Sequence, residues 1–232
     1  RASSVTGVQT CALPIFYPMY GSGWNPNDTI SSANGFYTRN DFIEILKYAD
    51  KHHIKVIPEV DIPGHSRAAI KAMNARYNKY IKRDKSKAEE YLLIDFADSS
   101  KYVSAQHYTD NVINVAMPSA YRFIEKVIKE IDKMYSDAGL KLDIFHIGGD
   151  EVPRGAWEGS AVCRKFMEEK GMTEIRELKD YFLEQVIPML SDRGIQPAGW
   201  EEVAMKPGHT ANERFRNSNI LSYTWNTVPE WG

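Results

Sequence analysis

Residues 142–151, Leu-Asp-Ile-Phe-His-Ile-Gly-Gly-Asp-Glu, constrain what this chain can fold into more than any other stretch. A short apolar run stops at two glycines and delivers two adjacent carboxylates, which is how a strand of a parallel α/β barrel presents chemistry at its C-terminal end. Ile144, Phe145 and Ile147 suit a buried strand. Gly148 and Gly149 let the backbone turn sharply and leave room beside it. Asp150 and Glu151 are therefore candidates for a catalytic pair. Adjacent acids are also common as solvated turn residues or helix caps, so the surrounding chain has to decide.

That surrounding chain alternates helix and strand patterns. Thr38 offers an N-cap with Asp41 three residues on, and Phe42, Ile45, Leu46 and Ala49 repeat at helical spacing up to His52 and His53, which suit a helix end better than a ligand set. Ile54–Asp61 is a β-branched run that leads into Ile62-Pro-Gly-His65. Asp61 and His65 thus flank a turn at another strand end, where they can converge with the acids or simply stabilise the turn. Residues 66–80 predict a helix, and 82–90 a charged, solvated stretch. Ser99–Met117 is long, polar and aperiodic, a combination that in a compact domain usually serves function, and it is expected to line the entrance to the site.

Pro118 suits a first helical turn, after which Ile124, Val127, Ile128, Ile131 and Met134 mark one face, with Glu125 and Lys129 paired on the other and Gly139 closing the segment. Past a loop with Trp157, helices are predicted near 160–170 and over 173–193, the second kinked or divided at Pro188. Ile195–Trp200 and Asn219–Trp225 are two more strands, each ending on tryptophan. One such ring is usually packing; two at successive strand ends suit a ring-lined sugar pocket.

Composition narrows the function classes. The 29 basic and 31 acidic side chains are interspersed to a net charge of -2 over 232 residues, which leaves no footprint for nucleic acid or an anionic membrane. No run of about 18 apolar residues is present to span a bilayer. Cys11 and Cys163 give neither a disulfide framework nor a metal-ligand spacing. Residues 1–15 carry no periodicity and resemble translated adapter sequence, so they are set aside, Cys11 among them, as a non-native extension.

His-Ile-Gly-Gly-Asp-Glu after an apolar strand resembles the catalytic motif of the family 20 glycoside hydrolases, the β-N-acetylhexosaminidases and chitobiases. Val56–Ala69, Val-Ile-Pro-Glu-Val-Asp-Ile-Pro-Gly-His-Ser-Arg-Ala-Ala, is similar to the third-strand motif of the same enzymes, and Gly-Trp-Glu-Glu at 199–202 to their fifth-strand motif. Residues 108–123 resemble an insertion that bacterial chitobiases carry between strands three and four. The resemblance covers roughly 19–232 and implies an α/β fold, a partial TIM (β/α)8 barrel in which 54–61, 142–147, 195–200 and 219–225 are strands three to six. Residues 16–232 would then be an incomplete catalytic barrel, lacking the first-strand Arg, the second strand, the seventh-strand Tyr and the eighth-strand Trp. Alone, such a chain is expected to expose sheet edges and to be inactive.

The activity implied is removal of terminal non-reducing N-acetylhexosamine (GlcNAc or GalNAc) from β-linked oligosaccharides such as chitobiose, by a retaining mechanism in which the substrate's acetamide is the nucleophile. Glu151 is the implied acid and Asp150 the residue that orients the acetamide, the two titrating as a coupled pair. Asp61, His65, Trp200 and Trp225 are the implied substrate-binding residues. His146 stands behind the acids or is a satisfied core histidine. The resemblance implies no cofactor and no metal, and a periplasmic or secreted setting rests on it alone. One rival is a metal-dependent hydrolase with Asp61, His65, His146, Asp150 and Glu151 as ligands, and another is an inert or carbohydrate-binding remnant.

Overall fold

The computed structural model describes residues 37–206 and 210–224; residues 1–15, Cys11 among them, and Trp225 lie outside them. Helix α1 (Arg39–Lys51) starts at the predicted capping box. The Thr38 hydroxyl accepts the Asp41 N–H, and the Asp41 carboxylate accepts that of Thr38. Helix α2 (Arg67–Tyr80) follows the Pro-Gly-His turn, a short α3 (Lys85–Glu89) comes next, and α4 (Pro118–Asp137) opens on its proline. On α4 the five predicted core residues are all buried. At about 1.5–3 kcal/mol for each such side chain, that face outweighs the few tenths contributed by the exposed Lys129–Glu125 pair, so packing rather than surface charge holds the helix.

Among the described residues the strands all follow α4 and are short. β1 (Ile144–His146), β2 (Gln196–Trp200) and β5 (Leu221–Tyr223) form a parallel sheet in that order, with His146 opposite Ala198 and Trp200 opposite Tyr223. An antiparallel pair, β3 (Met205–Lys206) and β4 (Thr210–Ala211), forms a separate small sheet. Between β1 and β2 run α5 (Ala161–Lys170) and α6 (Glu177–Ser191), the crossover that a parallel pair requires. Phe145 and Ile147 from the β1 segment join Phe123, Ile128, Phe182 and Leu190 from the helices in one apolar core.

Four sequence expectations are corrected. The run 54–61 is not a strand over its length: it meets β1 by a single parallel bridge, Glu59 with His146, flanked by bonds from Val60 N–H to His146 O (2.9 Å) and Ile62 N–H to Ile147 O (3.0 Å). β1 begins too late to pair with 54–56, and the Val56 carbonyl accepts the Tyr135 hydroxyl instead (2.8 Å). The charged stretch contains α3, because Asp84 caps it through the Lys87 N–H (2.9 Å). Helix α6 starts later than expected, since the Glu177 carboxylate takes the N–H groups of Thr173 and Glu174 in the turn before it. Pro188 neither divides nor ends α6, because it stands in the final turn, where little ladder remains to be lost.

Candidate active site

The ends of the parallel segments converge on one point. Gly148 accepts the Trp200 N–H at its carbonyl (2.8 Å), so the strand pairing carries past β1 and sets Trp200 beside the turn that leads to the acids. Gly148 has φ 68°, and a β-carbon there would overlap the Asp61 side chain; at Gly149, φ 91°, it would overlap Val203. Only glycine permits both the left-handed backbone and the close approach. The Gly149 N–H then donates to Asp61 Oδ1 (3.2 Å).

Asp61, His65, Asp150 and Glu151 are brought together as the sequence suggests. His65 Nε2 lies 3.3 Å from Glu151 Oε2, 3.5 Å from Asp150 Oδ2 and 3.9 Å from Asp61 Oδ2. The Asp150 side chain is 15% exposed and that of Glu151 31%, so Glu151 is the more open of the two. His65 (φ 49°) and Glu151 (φ 47°) both hold left-handed backbone without being glycine. Such conformations cost about 1–3 kcal/mol each and persist where the surroundings fix a functional group.

Electrostatics divide the carboxylates. Burial, reinforced by the neighbouring Asp150 charge, pushes the Asp61 carboxyl up to about 8. Burial also acts to raise Asp150, but contacts with His65 and Asp61 outweigh it and hold that carboxyl below its usual range. His65 is raised by its contact with Asp150, against the effect of its own burial. Asp61 and Asp150 thus influence each other directly: the Asp150 charge helps to raise Asp61, and the contact with Asp61 helps to hold Asp150 low.

His146 stands apart from this group. Its Nδ1 faces the Gly148 N–H (3.2 Å) and Glu59 Oε1 (3.4 Å), and its buried ring packs edge-on to Trp200 and Tyr223, at centroid distances of 4.7 and 5.3 Å. Glu59 also accepts the Trp200 indole N–H (2.9 Å), and the contact with His146 is the main reason its carboxyl lies low. Trp200 is half-buried at the mouth. Glu59 was legible in principle: it stands two residues before Asp61, on the same side of an extended chain. Tyr223 likewise precedes Trp225 by two. Two other groups gave no sequence signal. Gln106 Nε2, from the long loop, donates to Glu151 Oε2 (2.7 Å). Lys179 Nζ, from α6, donates to the Glu202 carbonyl (3.0 Å); burial pulls its pKa down, opposed by the charges of Glu202, Asp180, Asp150 and Asp61.

Among the described residues, Asp61, His65 and Asp150 present ligand atoms within 4.8 Å of one another, the arrangement closest to a cation site. His146, which the metal reading also needs, faces Gly148 and Glu59 instead.

A parallel α/β domain with a histidine among three carboxylates at its strand ends defines a class: a barrel-type domain bearing an acid–base site. The description "Glycosyl hydrolase family 20, catalytic domain" matches residues 17–230, and the chain belongs to that family. It is 43% identical over 219 residues to a beta-hexosaminidase of Vibrio vulnificus, covering 93% of this chain and 25% of that one. It is 33% identical over 259 residues to the N,N'-diacetylchitobiase of Vibrio harveyi, covering 98% and 28%. The crystal structure of a family 20 exo beta-N-acetylglucosaminidase from Vibrio harveyi, in complex with N-acetylglucosamine, superposes with TM-score 0.68 at 35% identity, covering 83% of this chain and 26% of that one. The fold is of the TIM-barrel α/β type. The chain spans about a quarter of the length of the curated relatives it matches.

Proposed function

We propose that this chain forms part of the catalytic barrel of a β-N-acetylhexosaminidase, which removes terminal non-reducing GlcNAc or GalNAc from β-linked oligosaccharides such as chitobiose. The observation that carries this reading is the placing of His65 Nε2 3.3 Å from Glu151 and 3.5 Å from Asp150 at the end of a parallel strand. Residues 16–232 are the barrel portion and 1–15 a non-native extension, a division supported by a family match that begins at residue 17. The extended segment before Asp61, β1, β2 and β5 correspond to strands three to six of eight.

In the first step Glu151 gives its proton to the glycosidic oxygen as the C1–O bond breaks, and the substrate's acetamido oxygen bonds to C1, forming an oxazolinium ion. Asp150, held ionised by His65 and Asp61, accepts the acetamide N–H and balances the developing positive charge. Water then attacks C1, Glu151 takes its proton, and the ring opens with net retention. Asp61 and His65 fix the two acids from below or reach sugar hydroxyls, while Trp200 offers an aromatic face; Trp225, a substrate-binding residue in the same reading, lies outside the described residues. His146 supports Trp200 from behind.

Glu151→Gln tests the acid role. In the whole enzyme, this chain joined to the remaining strands, the variant should lose activity on chitobiose far more than on an activated aryl glycoside, whose leaving group needs no proton. Equal loss on both substrates removes Glu151 from the role.

A further inference from the structure

The long loop Ser99–Met117 reaches the acid through one side chain. Its tip is a closed turn: the Ser104 N–H donates to the Tyr108 carbonyl (2.8 Å), the His107 N–H to the Ser104 carbonyl (2.8 Å), and the Tyr108 N–H to the Ser104 hydroxyl (3.1 Å). Within that turn Gln106 donates from Nε2 to Glu151 Oε2 (2.7 Å), while its amide oxygen is buried with no hydrogen-bond partner among the described residues. The foot of the loop is fixed. The Asn111 carbonyl accepts the Ser66 N–H (2.9 Å), the Ile113 N–H donates to the Pro63 carbonyl (3.0 Å), and the Ile113 carbonyl accepts the buried Trp157 indole N–H (2.9 Å). Asp110 is paired with both Arg67 (2.7 Å) and Lys71 (2.5 Å). The position of Gln106 is therefore set by the loop's anchorage.

Resting on the reading of Glu151 as the acid, we propose that Gln106 determines specificity for the leaving group: it cedes Glu151 Oε2 to the glycosidic oxygen and hydrogen-bonds a hydroxyl of the departing sugar. The geometry fixes the side on which it acts. The acid must face the leaving group and Asp150 the acetamide, and Gln106 bonds to Glu151. An amide both donates and accepts, as a sugar hydroxyl does, and the unpartnered Oε1 is an acceptor left over for such a hydroxyl. A buried acceptor without a donor is unfavourable, so a leaving group that supplies the donor is preferred to one that does not. An aryl leaving group offers no hydroxyl of this kind.

The test compares the whole enzyme with its Gln106→Ala and Gln106→Met variants on chitobiose and on an aryl N-acetyl-β-glucosaminide without sugar hydroxyls in the leaving group. Loss of one well-placed hydrogen bond should lower kcat/KM on chitobiose by about tenfold in Gln106→Ala and leave the aryl substrate unchanged. The aryl rate reports folding in the same sample, and an alkyl N-acetyl-β-glucosaminide, whose leaving group needs the proton but carries no sugar hydroxyl, reports the acid: it should also be unchanged, and a loss on it as large as on chitobiose overturns the assignment. If Gln106→Ala fails to fold, Gln106→Met, which keeps the side chain's length and loses both donor and acceptor, should show the same selective loss. An equal change on both substrates, or none on either, overturns the assignment of Gln106 and leaves the proposed function standing. A wild-type enzyme inactive on both substrates defeats the proposed function, and this assignment with it.

Discussion

Replacing Asp61 by asparagine should change how stability depends on pH more than it changes stability itself. Asp61 holds its proton up to about pH 8, whereas in the unfolded chain a carboxyl of this kind releases it near the ordinary value of 3.8. Between those limits the native state binds the extra proton, so stability is fully present at acid pH and is lost as pH rises toward 8. One proton corresponds to at most about 1.4 kcal/mol per pH unit, which gives a ceiling of about 3 kcal/mol between pH 5 and 7. In Asp61→Asn the new amide can keep the bond from the Gly149 N–H at its oxygen and offer its own N–H to Asp150, as the protonated acid does. Urea unfolding of the whole enzyme and the variant, measured from pH 4.5 to 8.5, should therefore give curves that approach each other at acid pH and diverge as pH rises, with the variant the more stable at pH 8. Parallel curves would refute a shared proton at Asp61.

Three further outcomes follow from the geometry. Gly148→Ala forces a side chain into a left-handed backbone at roughly 1–2 kcal/mol and drives Asp61 from the acids, so urea midpoint and kcat should both fall. Gly139→Ala, also at positive φ but with nothing within 4 Å of the added carbon, should lower the midpoint alone. Dialysis of the whole enzyme against a chelator should leave kcat unchanged; a loss restored by a divalent cation would move Asp61, His65 and Asp150 into a metal site.

Local chemistry made much of this legible. Thr38 with Asp41, Pro118 with the apolar face of α4, and the β1 run before two glycines each carry their own cause within a few residues, and each falls where the pattern puts it. Asp61, His65, Asp150 and Glu151 come together because strand ends in such folds point to one mouth, although in the sequence it is the resemblance to the family's third-strand motif that singles out Asp61 and His65. What the pattern missed depends on partners remote in sequence. The run 54–57 looks like a strand, but its ladder depends on where β1 begins, far along the chain at Ile144. Asp84 reads as one charge among many until the Lys87 N–H is seen to cap on it. Gln106 meets Glu151 across 45 residues, and Glu59 meets Trp200 across 141; polar loop and strand residues carry no periodic signal for such contacts. The rise of the Asp61 carboxyl is likewise a matter of burial, which its place in the sequence does not report.

The central claim is that Asp150 and Glu151 serve a substrate whose own acetamide is the nucleophile, and the stereochemistry of the first product tests it most directly. A proton NMR time course of the whole enzyme acting on chitobiose should show the β-anomer of GlcNAc released first from the non-reducing end, with the α-anomer growing in only by mutarotation. Initial release of the α-anomer would contradict the account, since direct attack by water on the intact glycoside inverts and leaves the Asp150–acetamide arrangement without a purpose.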